Sequence, residues 1–528
     1  MMKKNLFSRI IVTLLCVSLF LAGCAQPTPS TTTPSPSVSQ NESGVTEATA
    51  KVTSTIPKYV FMFIGDGMSF PQVTAYGMYT GTVKNNFKGT VKEPTPENMP
   101  QTEMPSFVDF PVVGAATTQD ASKFVTDSAS AATAIASGVK TLDGAIGVDP
   151  YNNPVPTIAE LIKKNTDYKV GIITSVSLDH ATPAGFYAHV ASRDNYYDIG
   201  KSLIDSDFDF FGGGGFKQPT GKEKDQPNLM DLAKEAGYNV ANTYDEISAL
   251  NAGSGKSIAV NPVLDNSSDA ALNYGVDRDS SDLQLADYVQ KGIEVLGDEK
   301  GFFMMVEGGK IDWACHANDA YTTIREVEDL DNAVKVAVDF ANKHPEETLI
   351  LVTGDHETGG FSMGFNGTAY DTYFDLLSGQ QMSYKAFADT YVKKFREENV
   401  PFETAMQDVK TVFGLVMPTD PDAENAGALL LTDREVTMLR EAYAESMVPY
   451  ADRDRDAEYK LRYSISSAEP LQIIITHILN NRAGFGWTTT GHSGLPVAVF
   501  AKGVGQENFG DFYDNTDIFV KLKAIMGL

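Results

Sequence analysis

A large, mostly parallel β-sheet with helices on both faces is the α/β architecture this sequence predicts, and three features predict it. Short apolar runs (Tyr59 to Ile64, Lys169 to Val176, Phe302 to Val306, Thr348 to Thr353, Pro496 to Ala501) lack the polar alternation of one-sided strands, which suits burial on both faces. Segments of helical character separate them, the alternation expected of a parallel sheet. Several runs also end in an acid or are followed closely by an imidazole, at the edge where open α/β sheets keep their ligand crevice. With 528 residues, 42% of them apolar, the chain can bury a sizeable core.

Ahead of the first strand, Lys3, Lys4 and Arg9 introduce an apolar stretch from Ile10 to Leu21, closed by Leu21-Ala22-Gly23-Cys24. Residues 1–23 read as an export signal, since the apolar run is short for a membrane-spanning helix. The closing tetrapeptide resembles a lipobox. That resemblance implies cleavage before Cys24, a lipid anchor on its thiol, and an extracytoplasmic position on a bacterial membrane, at the cell surface or in the periplasm. Residues 24–57 are rich in Pro, Ser and Thr and read as an extended spacer, leaving 58–528 as the folded domain. Cys16 departs with the signal and Cys24 carries the lipid, so Cys315 has no partner for an internal disulfide.

The formal charge of −27 excludes a sequence-independent grip on nucleic acid, which rests on Lys and Arg neutralising phosphates. A small anionic substrate therefore needs local positive charge, and metal ions can supply it.

Asp66 follows the first strand, His180 and Thr182 the second, Glu307 the third, and Asp355 and His356 the fourth. A polar residue after one strand is ordinarily a solvated loop residue; four strands delivering acids and imidazoles to one rim form a constellation. Asp312 and His316 are four apart, share one helix face and can bind one ion, although in isolation that spacing is an ordinary ion pair. Asp355 and His356 can reach one ion only where the chain turns, which Gly354, Gly359 and Gly360 permit. His492 lies in the loop Thr490-Gly-His-Ser-Gly before the last of these strands. Ser128 opens the Ala-rich stretch Val125 to Gly138. There Asp127 or Ser128 serves as an N-cap, and the same helix start suits a serine carrying phosphate. Thr432-Asp-Arg-Glu435 predicts a capping box before an amphipathic helix bearing Val436, Leu439, Ala442 and Tyr443.

Together and in this order, the motifs over about 58–360 and 485–528 resemble the alkaline phosphatase family. The resemblance implies a phosphomonoesterase with two Zn²⁺ and one Mg²⁺, acting on small-molecule phosphomonoesters through a phosphoserine at Ser128, with Arg193 holding phosphate. It implies Asp312, His316 and His492 as ligands of one zinc, and Asp355, His356 and Asp66 as those of the other. Asp66 also bridges to magnesium, whose further ligands are Thr182 and Glu307. His180 stands where some members carry an aspartate near magnesium, and Trp313 occupies a variable position facing the phosphate region. Lys310 reads as a surface charge and Cys315 as a small buried side chain. A phosphodiesterase, sulfatase or phosphomutase shares such a metal core, but no C/S-x-P-x-R motif surrounds Ser128 as a sulfatase requires. A non-catalytic lipoprotein that binds phosphate or metal is the competing class. The stretch of about 361–485 reads as a helical insertion near the site mouth, and its role as lid, homodimer contact or substrate-selecting element stays open on the sequence.

Overall fold

The first strand, β1 (Tyr59–Gly65), is buried along its whole length, because it runs parallel between two equally apolar neighbours. In the computed structural model, which describes residues 55–265, 269–463 and 468–528, thirteen further strands follow. They are β2 (Val112–Thr117), β3 (Lys169–Thr174), β4 (Phe210–Gly213), β5 (Asn239–Ala241), β6 (Ser257–Val260), β7 (Phe302–Gly308), β8 (Thr348–Gly354), β9 (Glu357–Thr358), β10 (Ser362–Met363), β11 (Phe485–Gly486), β12 (His492–Ser493), β13 (Val497–Gly503) and β14 (Asp511–Asp514). Ten of the strands form one sheet in the order β14-β2-β13-β8-β1-β7-β3-β4-β6-β5, and β10-β11 and β12-β9 are small ribbons. The export signal, Cys24 and nearly all of the 24–57 spacer lie outside the described residues.

The period of two along each strand divides the core. Tyr59, Phe61 and Phe63 of β1 pack in one cluster with Val289, Ile324, Leu330 and Val334, from helices Leu285–Leu296 and Ala320–Lys343. Val60, Met62 and Ile64 pack in the other with Ile135, Ile162, Ile199 and Leu522, from helices Ser128–Ser137, Ile158–Asn165, Tyr196–Asp205 and Thr516–Ile525. The sheet is therefore covered on both faces, as the unbroken apolar runs predict. Each such side chain contributes roughly 1.5–3 kcal/mol through burial.

One strand departs from the parallel pattern. β13 runs antiparallel to both β8 and β2, with Val499 opposite Thr353 and Val497 opposite Ala116. Its first residue thus lies at the rim where its parallel neighbours end, and the loop before it delivers His492 to the same edge. The described residues of 361–485 fold largely as helices, including Phe402–Phe413, Asp433–Met447 and Pro470–Ala483, whose apolar faces join the cluster around Phe61. Thr432 caps the second of these by accepting from the Glu435 N–H, and Leu439, Ala442 and Tyr443 are buried.

Candidate active site

Strand register sets the floor of the site. Ile64 pairs with Glu307 and Thr353, and Thr174 with Glu307, so Asp66, Glu307 and Asp355 emerge side by side at the ends of β1, β7 and β8. The turn after β1 needs glycine: Gly67 has φ +72°, and a Cβ there would stand 2.9 Å from both Asp312 Cα and Thr358 Oγ1. The Gly67 N–H donates to Asp355 Oδ1 at 3.1 Å, tying the two acid-bearing ends together.

Three histidines converge above this floor, each held at Nδ1 by an oxygen. His316 Nδ1 lies 2.6 Å from the Thr490 carbonyl, His492 Nδ1 2.7 Å from the Thr126 carbonyl, and His356 Nδ1 3.3 Å from Thr358 Oγ1. Such contacts place the proton on Nδ1 and leave each Nε2 lone pair aimed into the site. His316 Nε2 then stands 3.2 Å from His492 Nε2 and 3.2 Å from Asp312 Oδ2, while the His356 and His492 rings stack at 3.7 Å. His356 Nε2 is 3.4 Å from Asp66 Oδ1, 3.5 Å from Asp355 Oδ2 and 3.2 Å from Ser128 Oγ.

The donor set fits divalent cations. Asp66 Oδ1, Asp355 Oδ2, Glu307 Oε1 and His180 Nδ1 are buried without a hydrogen-bond partner, a costly state for neighbouring carboxylates unless a cation binds them. Three groups have donor atoms near enough to share an ion: Asp312, His356 and His492; Asp66, Asp355 and His356; Asp66, His180 and Glu307. Burial pushes Asp66 well above the usual carboxylate range, and the adjacent Asp355, Asp312 and Glu307 push it the same way. Burial likewise raises Asp355, and lifts Glu307 to about 7 against the hydrogen bonds of Thr174 and Thr182. Burial, with Arg193 nearby, lowers His180 to about 3, so its imidazole is neutral and available as a ligand.

Ser128 is the first residue of helix Ser128–Ser137, and Asp127 is its N-cap, accepting from the Ser130 N–H at 3.0 Å. Asp127 has a second task that its capping position conceals. Its other oxygen receives Arg193 NH1 at 2.9 Å, while the Gly144 N–H adds a further bond at 3.0 Å. Burial alone would raise this carboxyl, but Arg193 and the hydrogen bonds outweigh it and hold Asp127 well below the usual range. Arg193 NH2 lies 3.4 Å from His180 Nε2. Thr182 Oγ1 lies 3.3 Å from Asp66 Oδ2.

All ten residues singled out from the sequence (Asp66, Ser128, Thr182, Arg193, Glu307, Asp312, His316, Asp355, His356 and His492) are thus joined by this set of contacts. Thr358 escaped sequence reading, although its hydroxyl donates to Asp312 Oδ1 at 2.5 Å and faces His356. So did Glu357, whose carboxylate accepts from Gln72 Nε2 and the Gly360 and Phe361 N–H groups, and also meets Ser493 Oγ. Lys310 requires a correction. Far from being a surface charge, it is wholly buried, donates to the Leu272 carbonyl and stands 3.6 Å from Asp265 Oδ2. An anionic partner and an aromatic face take the place of water there. Cys315 is a small buried thiol, as expected.

Comparison with known proteins agrees with this geometry. The sequence profile of the alkaline phosphatase family matches residues 57–528. Alkaline phosphatase 4 of Bacillus subtilis (strain 168) is 32% identical over 467 residues, a match spanning 87% of this chain and 86% of the relative. A cold-active alkaline phosphatase from Shewanella sp. superimposes with a TM-score of 0.68 at 27% identity, over 89% of this chain and 99% of that one. A histidine-to-glutamate mutant of the TAB5 alkaline phosphatase, with Mg bound in its M3 site, superimposes with a TM-score of 0.56 at 25% identity, over 89% and 98% of the two chains. With the family profile, the sequence relatives and the superposed fold in agreement over nearly the whole described chain, the protein belongs to the alkaline phosphatase family.

Proposed function

We propose that this enzyme hydrolyses phosphomonoesters through a phosphoseryl intermediate on Ser128, using two zinc ions and one magnesium ion. The observation that carries the reading is a cluster of three histidines and unpartnered buried carboxylates in which His356 Nε2 stands 3.2 Å from the Ser128 hydroxyl. Asp355, His356 and Asp66 would hold one zinc, and Asp312, His316 and His492 the other. Asp66, Thr182 and Glu307 would hold magnesium, with His180 beside them. The magnesium of the TAB5 mutant supports a third position of this kind. When bound, the ions lower the cost of ionising the serine hydroxyl and offset charge on the phosphoryl oxygens.

The chain's own groups do the rest. Ser128 stands at a helix start, where the dipole favours a phosphate dianion. Its Oγ forms the new bond to phosphorus as the bond to the leaving alcohol breaks; water then displaces Oγ and releases phosphate. Arg193 presents a planar fork for two phosphoryl oxygens, aligned by Asp127. The lipobox-like sequence at Cys24 supports a membrane-anchored, extracytoplasmic enzyme, and a Cys24→Ala chain should move from the membrane to the soluble fraction.

The test is p-nitrophenyl phosphate hydrolysis by residues 25–528 at pH 8 to 10, before EDTA, after it, and after returning Zn²⁺ and Mg²⁺. Loss and joint restoration support the reading, and metal analysis should find two zinc and one magnesium per chain. A folded, metal-loaded protein with no turnover would overturn it.

A further inference from the structure

A cavity of about 640 Å³ adjoins the candidate metal cluster, a size that suits a small organic ligand. Trp313 and His316 line its inner side, the helical run around Tyr384 and Ala388 its outer side, and Gln472 part of its wall. Its position relative to the nucleophile is informative. Ser128 Oγ touches His356; His356 stacks on His492; His492 Nε2 meets His316 Nε2, and His316 borders the cavity. The cavity therefore borders the cluster at His316, whereas Ser128 meets it at His356. In-line displacement at phosphorus expels the leaving oxygen on the side away from Ser128, and the cavity at His316 is the space beside the cluster that could receive it.

The lining shows what the cavity would accept. Tyr274, Tyr384 and Trp313 bring three aromatic rings to its wall. They are held rigidly: the two tyrosine hydroxyls bond at 2.7 Å, their rings pack edge to face, and buried Lys310 stands 3.7 Å from the Tyr274 ring centre and 5.6 Å from that of Trp313. Rings fixed before binding lose little freedom on stacking a flat ligand. Polar groups accompany them. Gln472 and the Arg396–Glu469 pair border the same space. Aromatic side chains beside charged groups, Lys385, Asp389 and Lys393 among them, match a heteroaromatic ring carrying donors and acceptors better than an alkyl chain.

We propose that this cavity binds the leaving alcohol of the substrate and selects alcohols bearing a heteroaromatic ring, the nucleoside class, over small aliphatic ones. The inference rests on the phosphomonoesterase reading above. It is tested by comparing kcat/KM for adenosine 5′-monophosphate and ribose 5-phosphate with the full, metal-loaded chain. Both substrates release phosphate from the same primary 5′ oxygen, so leaving-group basicity is matched and only the base differs. Stacking on an aromatic wall predicts a preference of about tenfold or more for the nucleotide. Tyr384→Ala should collapse that ratio toward one. Ala388→Leu, a helix-compatible change that fills the cavity, should do the same and covers the case in which Tyr384→Ala does not fold. A ratio near one in the unmodified enzyme, or a ratio unchanged by the folded variants, overturns the proposal while leaving the phosphatase reading intact. No hydrolysis of either compound by folded, metal-loaded protein removes both.

Discussion

Replacing Thr358 by valine removes one oxygen and keeps the shape, and that oxygen links the two candidate zinc positions. The Thr358 hydroxyl donates its proton to Asp312 Oδ1 at 2.5 Å and faces His356 Nδ1 at 3.3 Å, within a site where all three residues are buried. One hydroxyl has one proton, so Asp312 takes it and His356 uses the lone pair. Hydrogen bonds to charged groups are worth about 1.5–3 kcal/mol, and those aligning metal ligands are typically worth 10–100-fold in affinity or activity. Without the hydroxyl, Asp312 and His356 must be ordered when zinc binds, and the ordering cost falls on the metal affinity. The expected result is a zinc affinity roughly 10–100-fold weaker in Thr358→Val, measured by reactivating EDTA-stripped protein in zinc buffers. Thr358→Ser, which restores the donor, should stay within about threefold of the parent. If the valine variant folds and takes up zinc as tightly as the parent, the positioning argument is wrong.

Other perturbations follow from the same contacts. Gly67→Ala forces a Cβ into Asp312 and Thr358 at a positive φ, so we expect at least about a hundredfold loss of kcat, read by p-nitrophenyl phosphate turnover with circular dichroism to confirm folding. Asp127→Ala deletes both the helix cap and the partner of Arg193, and should lower stability by about 1–2 kcal/mol, seen as a reduced urea midpoint, while weakening phosphate inhibition. His477 is lowered from the usual 6.5 to about 4 by burial, and its Nε2–H donates to Asn318 Oδ1 at 2.9 Å. Because the unfolded chain binds this proton more readily, the neutral imidazole's contribution is present above pH 6.5 and is lost as pH falls through 4. The full shift corresponds to about 3 kcal/mol; partial exposure of the ring reduces the expectation to about 1–2 kcal/mol. The stability gap between the parent and His477→Gln should accordingly change across that window in urea titrations. A constant gap would show that the ring does not carry it.

How far the sequence discloses this molecule depends on how local each signal is. Strands β1, β3, β7, β8 and β13 were legible because each is an unbroken apolar run, whereas β4 (Phe-Phe-Gly-Gly) and the short β5, β6 and β14 offer too little apolar length to stand out. The acids at the strand ends were legible for the same reason. The reversed direction of β13 was not, since an apolar run carries no sense of direction, yet that reversal brings His492 to the rim. Asp127 was legible as a cap but not as the partner of Arg193, because that pairing spans distant segments of the chain. Lys310 illustrates the opposite failure. A lysine is exposed by default, and only the assembled neighbourhood of Asp265, Leu272 and Tyr274 explains its burial. The cavity wall formed by residues 384–396 has no sequence signature, being a product of helix packing.

The assembled site also shows how a fold can hold mutually repelling groups in place. β9 and β12 pair antiparallel, setting Thr358 against His492 and Glu357 against Ser493, and the Glu357 carboxylate fastens this ribbon to Gln72. Backbone pairing and the hydrogen bonds of the Glu357 carboxylate thus bring His356 and His492 together. Two apolar clusters, one on each face of a ten-stranded sheet, hold the strands from which Asp66, Glu307 and Asp355 project. The electrostatic cost of crowding these carboxylates is local, while the packing that offsets it is spread over the domain. A cation bound there relieves a strain that the scaffold already tolerates. Its binding energy can therefore go into affinity and added stability by linkage, and need not be spent on assembling the ligands.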